Sequence, residues 1–321
     1  MEKADVLLIG AAIADVLLRP VDETVFAQGS CPVDSIRMDV GGDALNEATV
    51  LARLGHAPVL ATVLGADGVA DFILAHCRRE GIRVHAPRRE GLDTGINAVL
   101  VSPSGERSFV TNRNGSLRRL TLEDALSAVD EAPGSVRLMC LASMFVSPML
   151  DADGMAALFA RGRARGWLVC ADSTKRKNSE TLRDVADALA QLDYFFPNLE
   201  EARLLTGREA PDDVADALLG AGVKNVALKL GGAGCLVKNG SGRFEVPAYP
   251  EARCVDTTGA GDTFAAAFIA SILEGRSAAH CAAFANAAAS LCVERLGATA
   301  APMDGGELNR RFGHICELGK L

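Results

Sequence analysis

An apolar run over Val6–Ile9, closed by Gly10, predicts a buried first strand with Asp15 just beyond it. Ala44, Leu45, Ala48, Leu51 and Ala52 keep helical spacing over residues 43–54 and stop at Gly55, which suits the left-handed turn after a helix. Residues 59–63 read as a strand, and Phe72, Ile73, Leu74, Ala75 and Cys77 mark a second helix over 69–80 that ends at Gly81. This is strand and helix in alternation.

The period changes after residue 94. Two runs, 96–101 and 107–111, flank the turn-forming Ser102-Pro103-Ser104-Gly105 and predict a hairpin. With residues 35–40 it would form a small sheet apart from the main one, because these segments lack intervening helices. Alternation then resumes. Thr121 with Asp124 can cap a helix; 136–141, 167–171, 194–196, 226–230 and 235–237 read as strands. Residues 153–165, 198–205 and 212–219 read as helices, and two Ala-rich helices near 261–274 and 277–295 close the chain. No internal repeat or linker interrupts residues 1–321. The predicted architecture is one α/β domain: a doubly wound, mostly parallel sheet flanked by helices, with a small β-sheet lid from about 12–40 and 94–113.

Length alone, 321 residues at roughly 150 per domain, allows two domains, although α/β chains of this size also form one large unit. Hydrophobic residues at 49% and charged residues at 23% exclude a disordered or coiled-coil chain, and aromatics at only 5% require an aliphatic core. The net charge of -8 and the scattered basic pairs argue against nucleic acid as a partner. An acidic protein can still hold a phosphate where backbone donors and one or two cations converge. Nine cysteines without a Cys-x-x-Cys pair read as reduced core residues and point to a reducing cytoplasm. The apolar stretch 6–18 follows Glu2 and Asp5 and contains Asp15, which fits neither a signal peptide nor a membrane span.

The densest chemical signal is Asp256-Thr257-Thr258-Gly259-Ala260-Gly261-Asp262, directly ahead of an apolar helix. Small residues there let backbone N–H groups and the helix terminus hold an anion. A carboxylate at such a rim is repelled by the anion unless it has a task, such as accepting a hydroxyl proton. The alternative is a glycine turn with Asp262 as an ordinary helix cap. Residues alone leave both open.

Gly41-Gly42-Asp43-Ala44-Leu45-Asn46 and the 256–262 segment resemble, in order and separation, the two signatures of the ribokinase-like (PfkB) family of sugar and nucleoside kinases. The resemblance implies an ATP-dependent, Mg2+-requiring kinase that phosphorylates a hydroxyl of a small sugar or sugar derivative. It makes Asp262 the catalytic base and Gly259, Ala260 and Gly261 the anion hole. It makes Asp15, Gly42, Asp43 and Asn46 sugar ligands, with Asn97, Asn112 and Arg113 of the lid over the sugar. An arginine there could pair with a substrate carboxylate, which suggests a sugar acid. Asp43 and Ser143 stand where ribose-phosphorylating members differ, which argues against simple ribose specificity.

On the nucleotide side the resemblance assigns Lys229, Gly231, Gly232, Gly234, Asn286 and Asn198, with Glu201 supporting Mg2+ through water. Asn198 and Glu201 equally match an ordinary capping box. Asp256 and Thr258, with carbonyls near 295–301, would hold an activating K+. A homodimer through the lid is implied by its edges and by apolar Ile96, Val99 and Val101. Competing readings are a nucleoside kinase of the same family and a non-catalytic sugar-binding regulator, against which the retained Asp262 argues. A dinucleotide oxidoreductase is disfavoured because Gly10-Ala11-Ala12-Ile13-Ala14 is not Gly-x-Gly-x-x-Gly.

Overall fold

The computed structural model describes residues 4–321 apart from 29, 105, 178 and 304. Gly105 of the predicted turn and the acidic start at Glu2 therefore lie outside the described residues. In chain order the strands are β1 (Val6–Ile9), β2 (Ile13–Arg19), β3 (Ser35–Gly41), β4 (Pro58–Ala61), β5 (Leu64–Gly65), β6 (Arg83–His85), β7 (Arg88–Arg89), β8 (Ile96–Val101) and β9 (Arg107–Thr111). They continue with β10 (Leu138–Met144), β11 (Leu168–Ser173), β12 (Tyr194–Phe195), β13 (Asn225–Lys229), β14 (Cys235–Asn239) and β15 (Gly242–Val246). The helices are α1 (Asp43–Arg53), α2 (Gly68–Glu80), α3 (Leu122–Glu131), α4 (Ala152–Ala164), α5 (Ala186–Leu189), α6 (Leu199–Thr206), α7 (Pro211–Gly220), α8 (Ala260–Leu273), α9 (Ala278–Cys292) and α10 (Gly305–Gly319).

Nine strands form the central sheet in the order β15-β14-β13-β12-β11-β10-β1-β4-β6. All neighbours are parallel except the β13–β14 and β14–β15 pairs. Because both faces of a parallel sheet are covered, its strands are apolar at successive positions rather than alternating. Val6 and Leu8 pack into one core with α1, α8 and α9, while Leu7 and Ile9 pack into the other with α3 and α4. The strand order reverses between β1 and β10, so the carboxyl ends of the strands there open a crevice.

A separate four-stranded sheet, ordered β3-β2-β8-β9, is mostly antiparallel, with one parallel pair between β2 and β8. Its register aligns Asp15 with Asp39 and Asn97, and Asn97 with Thr111, in one row. The adjacent row aligns Val16 with Met38 and Ala98, and Ala98 with Val110. Successive residues point to opposite faces, so Asp15, Asn97 and Thr111 share one side with Leu17, Val99 and Phe109, and the other side is apolar over Val16, Met38, Ala98 and Val110. Ile36, Met38 and Val110 are exposed on the apolar side, whereas Val99 and Val101, expected to meet a partner, are buried. Ile96 is half-buried.

The sequence reading differs most at the end of the chain, which closes with α10 rather than with α9. Helix α10 opens on two glycines, and one of its three buried residues is Arg311, paired with Glu294 and Glu307, so its apolar stripe is thin. The strand expected over 59–63 ends at Ala61 as β4, with the short β5 beginning only at Leu64, and β15 adds an edge strand beyond the expected ones. The caps expected at Thr121 and Asn198 both form complete capping boxes. All nine cysteines are free thiols, six of them buried. Among the described residues no helix is long and apolar enough to cross a membrane.

Candidate active site

The loop into α8 fixes one wall of the crevice. Gly259 has φ 74°, and a Cβ there would stand 2.6 Å from Cα of Ala298, so only glycine fits without displacement. Gly259 supplies no side chain to cap α8, so apart from the Ala260 amide, which donates to the Thr257 carbonyl at 3.2 Å, the first-turn N–H groups are left for an anion. Asp262, in that first turn, accepts a 2.7 Å hydrogen bond from Nδ2 of Asn46 on α1 instead of capping the helix. Gly261 keeps the approach narrow but open, since a Cβ there would lie 3.2 Å from Nζ of Lys229.

Lys229 ends β13, and its ammonium donates to both carboxylate oxygens of Asp172, at 2.8 and 2.6 Å. Asp172 lies near the end of β11. Burial opposes the Lys229 charge, but Asp172, Glu201 and Asp262 outweigh it and hold its pKa above the ordinary value. Burial raises Asp172 to about 7 despite that partner. Asp262 is pushed well above the usual carboxylate range by burial and by the Asp43 charge, with the Asn46 amide pulling the other way. Asp43, raised by burial, accepts from the Ser143 hydroxyl and is the first residue of α1. Glu47, one turn further, is fully buried, and burial beside the Asp172, Asp262 and Asp43 carboxylates raises its pKa well above the usual carboxylate range. An acidic cluster around one buried cation can thus carry protons at neutral pH.

A cavity of about 570 Å3 runs from this cluster between β13, β14, α8 and α9. Asp43, Asp172, Lys229 and Asp262 line its charged end, and Tyr249, Pro250, Ala289 and Val293 line an apolar one. Gly231, Gly232 and Gly234 lie along it as well. Gly231 and Gly234 have φ of 60° and 98°. Asn286 lines the cavity, yet its Nδ2 donates to the carbonyls of Val246 and Pro247, each at 3.0 Å, so it holds main chain. Asn198 and Glu201 line it too while capping α6. Glu201 also accepts from the Ser173 hydroxyl at 2.9 Å, and burial raises its pKa.

On the lid side, Asn97 donates to Asp15 at 3.0 Å and accepts from Thr111 at 2.7 Å. Gly42, with φ 93°, packs so closely that a Cβ would stand 2.6 Å from the Ala11 carbonyl oxygen. The Asn112 side chain accepts from the Ile96 amide and donates to the Thr94 carbonyl, which ties the strand ends together. Arg113 is exposed. Asp256 and Thr258 stand together ahead of Gly259, the Thr258 amide donating to Asp256 at 2.9 Å. The Arg107 guanidinium stands 2.5 Å from Asp256 and also contacts the Thr258 hydroxyl, where the resemblance implies K+.

Asp172, Arg107 and Glu47 were not legible as site residues in the sequence. Asp172 had one available signal: a carboxylate closing an apolar strand at the crevice end of a parallel sheet. Arg107 and Glu47 had none, since a strand-edge arginine and a helical glutamate are ordinary surface residues.

The model of the pfkB family carbohydrate kinases matches residues 3–304. A 2-dehydro-3-deoxygluconokinase from Dickeya dadantii (strain 3937) is 30% identical over 276 residues, covering 80% of this chain and 88% of that protein. One from Bacillus subtilis (strain 168) is 27% identical over 273 residues, covering 83% and 84%. The structure of Arabidopsis thaliana ribokinase complexed with ribose and ATP superimposes with TM-score 0.78 at 24% identity, over 97% of this chain and 99% of that one, which is a likeness of fold. Because the family match takes in both the Gly41-to-Asn46 segment and the 256–262 loop, the chain belongs to the pfkB family carbohydrate kinases and is a sugar kinase.

Proposed function

We propose that the chain transfers the γ-phosphoryl group of ATP to a hydroxyl of a sugar acid of the 2-dehydro-3-deoxygluconate class. The observation that carries the reaction is the Asn46–Asp262 hydrogen bond, which brings the sugar-side helix α1 and the anion loop to one carboxylate. In the proposed step the acceptor O–H gives its proton to Asp262, the freed oxygen attacks the γ-phosphorus, and ADP leaves. The raised pKa of Asp262 makes its carboxylate a stronger base for that proton. The Gly259-Ala260-Gly261 segment at the start of α8, with the Gly259 and Gly261 amides as donors and Lys229 beside them, would neutralise the migrating phosphoryl group.

The acceptor side is assigned to Asp15, Asn97, Gly42, Asp43 and Asn46. Oδ1 of Asn46 is buried without a partner, an acceptor left for a sugar hydroxyl. The choice of a sugar acid rests on the names of the relatives and on cations at this end. Lys177 is close enough to lower the Asp43 carboxylate, and Arg113 is exposed at the lid exit; among the described residues neither forms an ion pair. Gly231, Gly232 and Gly234 would face the nucleotide, with Asn286 and Asn198 shaping its walls.

Mg2+ fits this donor set. Glu201 lines the cavity and would accept from the waters of a hydrated ion held mainly by ATP phosphates. Bound Mg2+ would neutralise charge on the phosphates. K+ has no part in the proposal, because Arg107 already engages Asp256 and Thr258.

Residues 1–321 are read as one kinase domain whose lid comprises about 12–40 and 94–113. The exposed Ile36, Met38 and Val110 support a homodimer through the lids, and nine free thiols support a cytoplasmic setting. The test is ADP release from a panel of sugar acids, aldoses and nucleosides, with and without Mg2+. Preference for a nucleoside would overturn the sugar-acid reading. Asp262→Asn is expected to lower turnover by about 10²–10⁴-fold with ATP binding intact; near-normal turnover would remove the base assignment.

A further inference from the structure

A monovalent cation between Asp256, Thr258 and the carbonyls of 295–301 is part of the family resemblance, and the residues present do not fit one. Asp256 spends one oxygen on the Thr258 amide at 2.9 Å and the other on the Gly297 amide at 2.8 Å. Nη2 of Arg107 stands 2.5 Å from that second oxygen, and Nη1 donates to the Thr258 hydroxyl. Across the loop, Arg53 from the end of α1 donates to the carbonyls of Thr299 and Ala301, the latter at 3.3 Å, while pairing with Glu80. The Cys292 thiol lies against the carbonyls of Thr258 and Ala298. Guanidinium groups and other donors thus already hold the oxygens that a metal ion would need. Asp256 remains ionised: burial works to raise its pKa, but the Gly297 and Thr258 amides, the Thr258 hydroxyl and Arg107 together lower it.

We infer that the guanidinium of Arg107 is the resident cation of the anion loop, supplied by the lid in place of a monovalent metal ion. Arg107 is a positioning residue. It neutralises Asp256 and orients Thr258, the residue immediately before Gly259, and so sets the direction of the first N–H groups of α8. Its side chain is only 15% exposed and that of Asp256 only 2%, so the pair is largely shielded from salt, unlike a surface ion pair. Since Arg107 begins β9 of the lid, a lid that lifts takes the charge away and leaves Asp256 uncompensated. The anion loop is then completed only when the lid lies over the acceptor. This rests on the kinase activity of the family and not on which sugar is used.

The experiment compares wild type, Arg107→Ala and Arg107→Lys in K+-free and Na+-free buffer, with choline chloride replaced stepwise by KCl or by low guanidinium chloride at constant ionic strength. Turnover and unfolding temperature are both read. Wild type is expected to be indifferent to K+ in both. Arg107→Ala is expected to lose up to about 100-fold in kcat through misplacement of the loop, to regain part of it with K+ or guanidinium, and to gain K+-dependent thermal stability. Arg107→Lys, which keeps a charge but not the fork, should fall between them. The unfolding arm needs no substrate, so it reads cation binding even if the acceptor is misassigned. K+ activation of the wild type overturns the inference. So does a folded Arg107→Ala protein that keeps full turnover, or one that loses it and responds to neither cation. Should Arg107→Ala fail to fold, the wild-type titration and Arg107→Lys decide the matter in the same way.

Discussion

Nδ2 of Asn46 donates a 2.7 Å hydrogen bond to Oδ2 of Asp262 across 216 positions of sequence. It joins the two glycine-containing segments of the chain at one carboxylate. The bond favours the ionised form, against burial and the Asp43 charge, which push the Asp262 pKa up. Asn46→Ala removes the only one of these three influences that lowers the pKa. A hydrogen bond to a charged group contributes about 1.5–3 kcal/mol, equivalent to about 1–2 pH units. Protonated Asp262 cannot accept the hydroxyl proton, so the acidic limb of kcat is expected to move to higher pH by that amount. The measurement is a kcat profile at saturating ATP and acceptor; an unmoved limb would mean that another group sets it.

Lys229 and Asp172 form the second relationship on which the site depends. Asp172→Ala leaves a buried ammonium without its closest partner, a change expected to cost about 3–5 kcal/mol. Adding Lys229→Met removes the orphaned charge and should return much of that stability, while turnover stays lost because the phosphoryl group loses its cation. Urea unfolding of the single and double variants checks the first half and ADP release the second. Equal stability of the two variants would show that the unpaired ammonium is not the source of the loss.

Much of this site was legible because its parts are local. Gly259, Gly261 and Asp262 announce themselves by spacing next to an apolar helix, and α1 and α8 follow from uninterrupted periodicity. The alternative of a capping role for Asp262 was removed only by Asn46, a partner no local pattern contains. Asp172, Arg107 and Glu47 gain their meaning from distant packing: the ends of β11 and β13 meeting past the two-residue β12, the lid against the 256–258 loop, and α1 against α8. Capping at Asn198 shows the converse, since the local rule correctly gave the cap but was silent on the cavity that the same residue lines. Helix α10 escaped notice because a buried arginine with two carboxylate partners replaces a residue that would have been apolar.

The glycines of the anion loop are expected to separate stability from chemistry. Gly259→Ala places a Cβ at φ 74° and 2.6 Å from Cα of Ala298, a strained backbone that should cost at least about 1–3 kcal/mol. Gly261 is within α8, and its added Cβ would meet only the tip of Lys229, at 3.2 Å. Alanine is the better helix former by about 1 kcal/mol, so Gly261→Ala should fold at least as stably as wild type. It should nevertheless lose turnover, because the methyl group crowds the space between helix terminus and ammonium. Thermal unfolding and single-turnover phosphorylation of both variants provide the check, and full activity in Gly261→Ala would place the phosphoryl group elsewhere.

The lid separates its two duties by strand parity. One row carries Asp15, Asp39, Asn97 and Thr111, joined in part by side-chain hydrogen bonds, and the next carries Val16, Met38, Ala98 and Val110. Met38 and Val110 are exposed, together with Ile36. A two-fold interface that covers this apolar row would bury any charge placed in it twice, once from each subunit. Val110→Asp is therefore expected to weaken self-association by at least about 100-fold, or about 3 kcal/mol. Phe109→Asp, one position along and on the opposite face, should leave association unchanged although Phe109 is itself exposed. Sedimentation velocity across a concentration series distinguishes the two variants. A wild-type protein that stays monomeric at micromolar concentration, or equal dissociation by both substitutions, would rule out the apolar row as the contact.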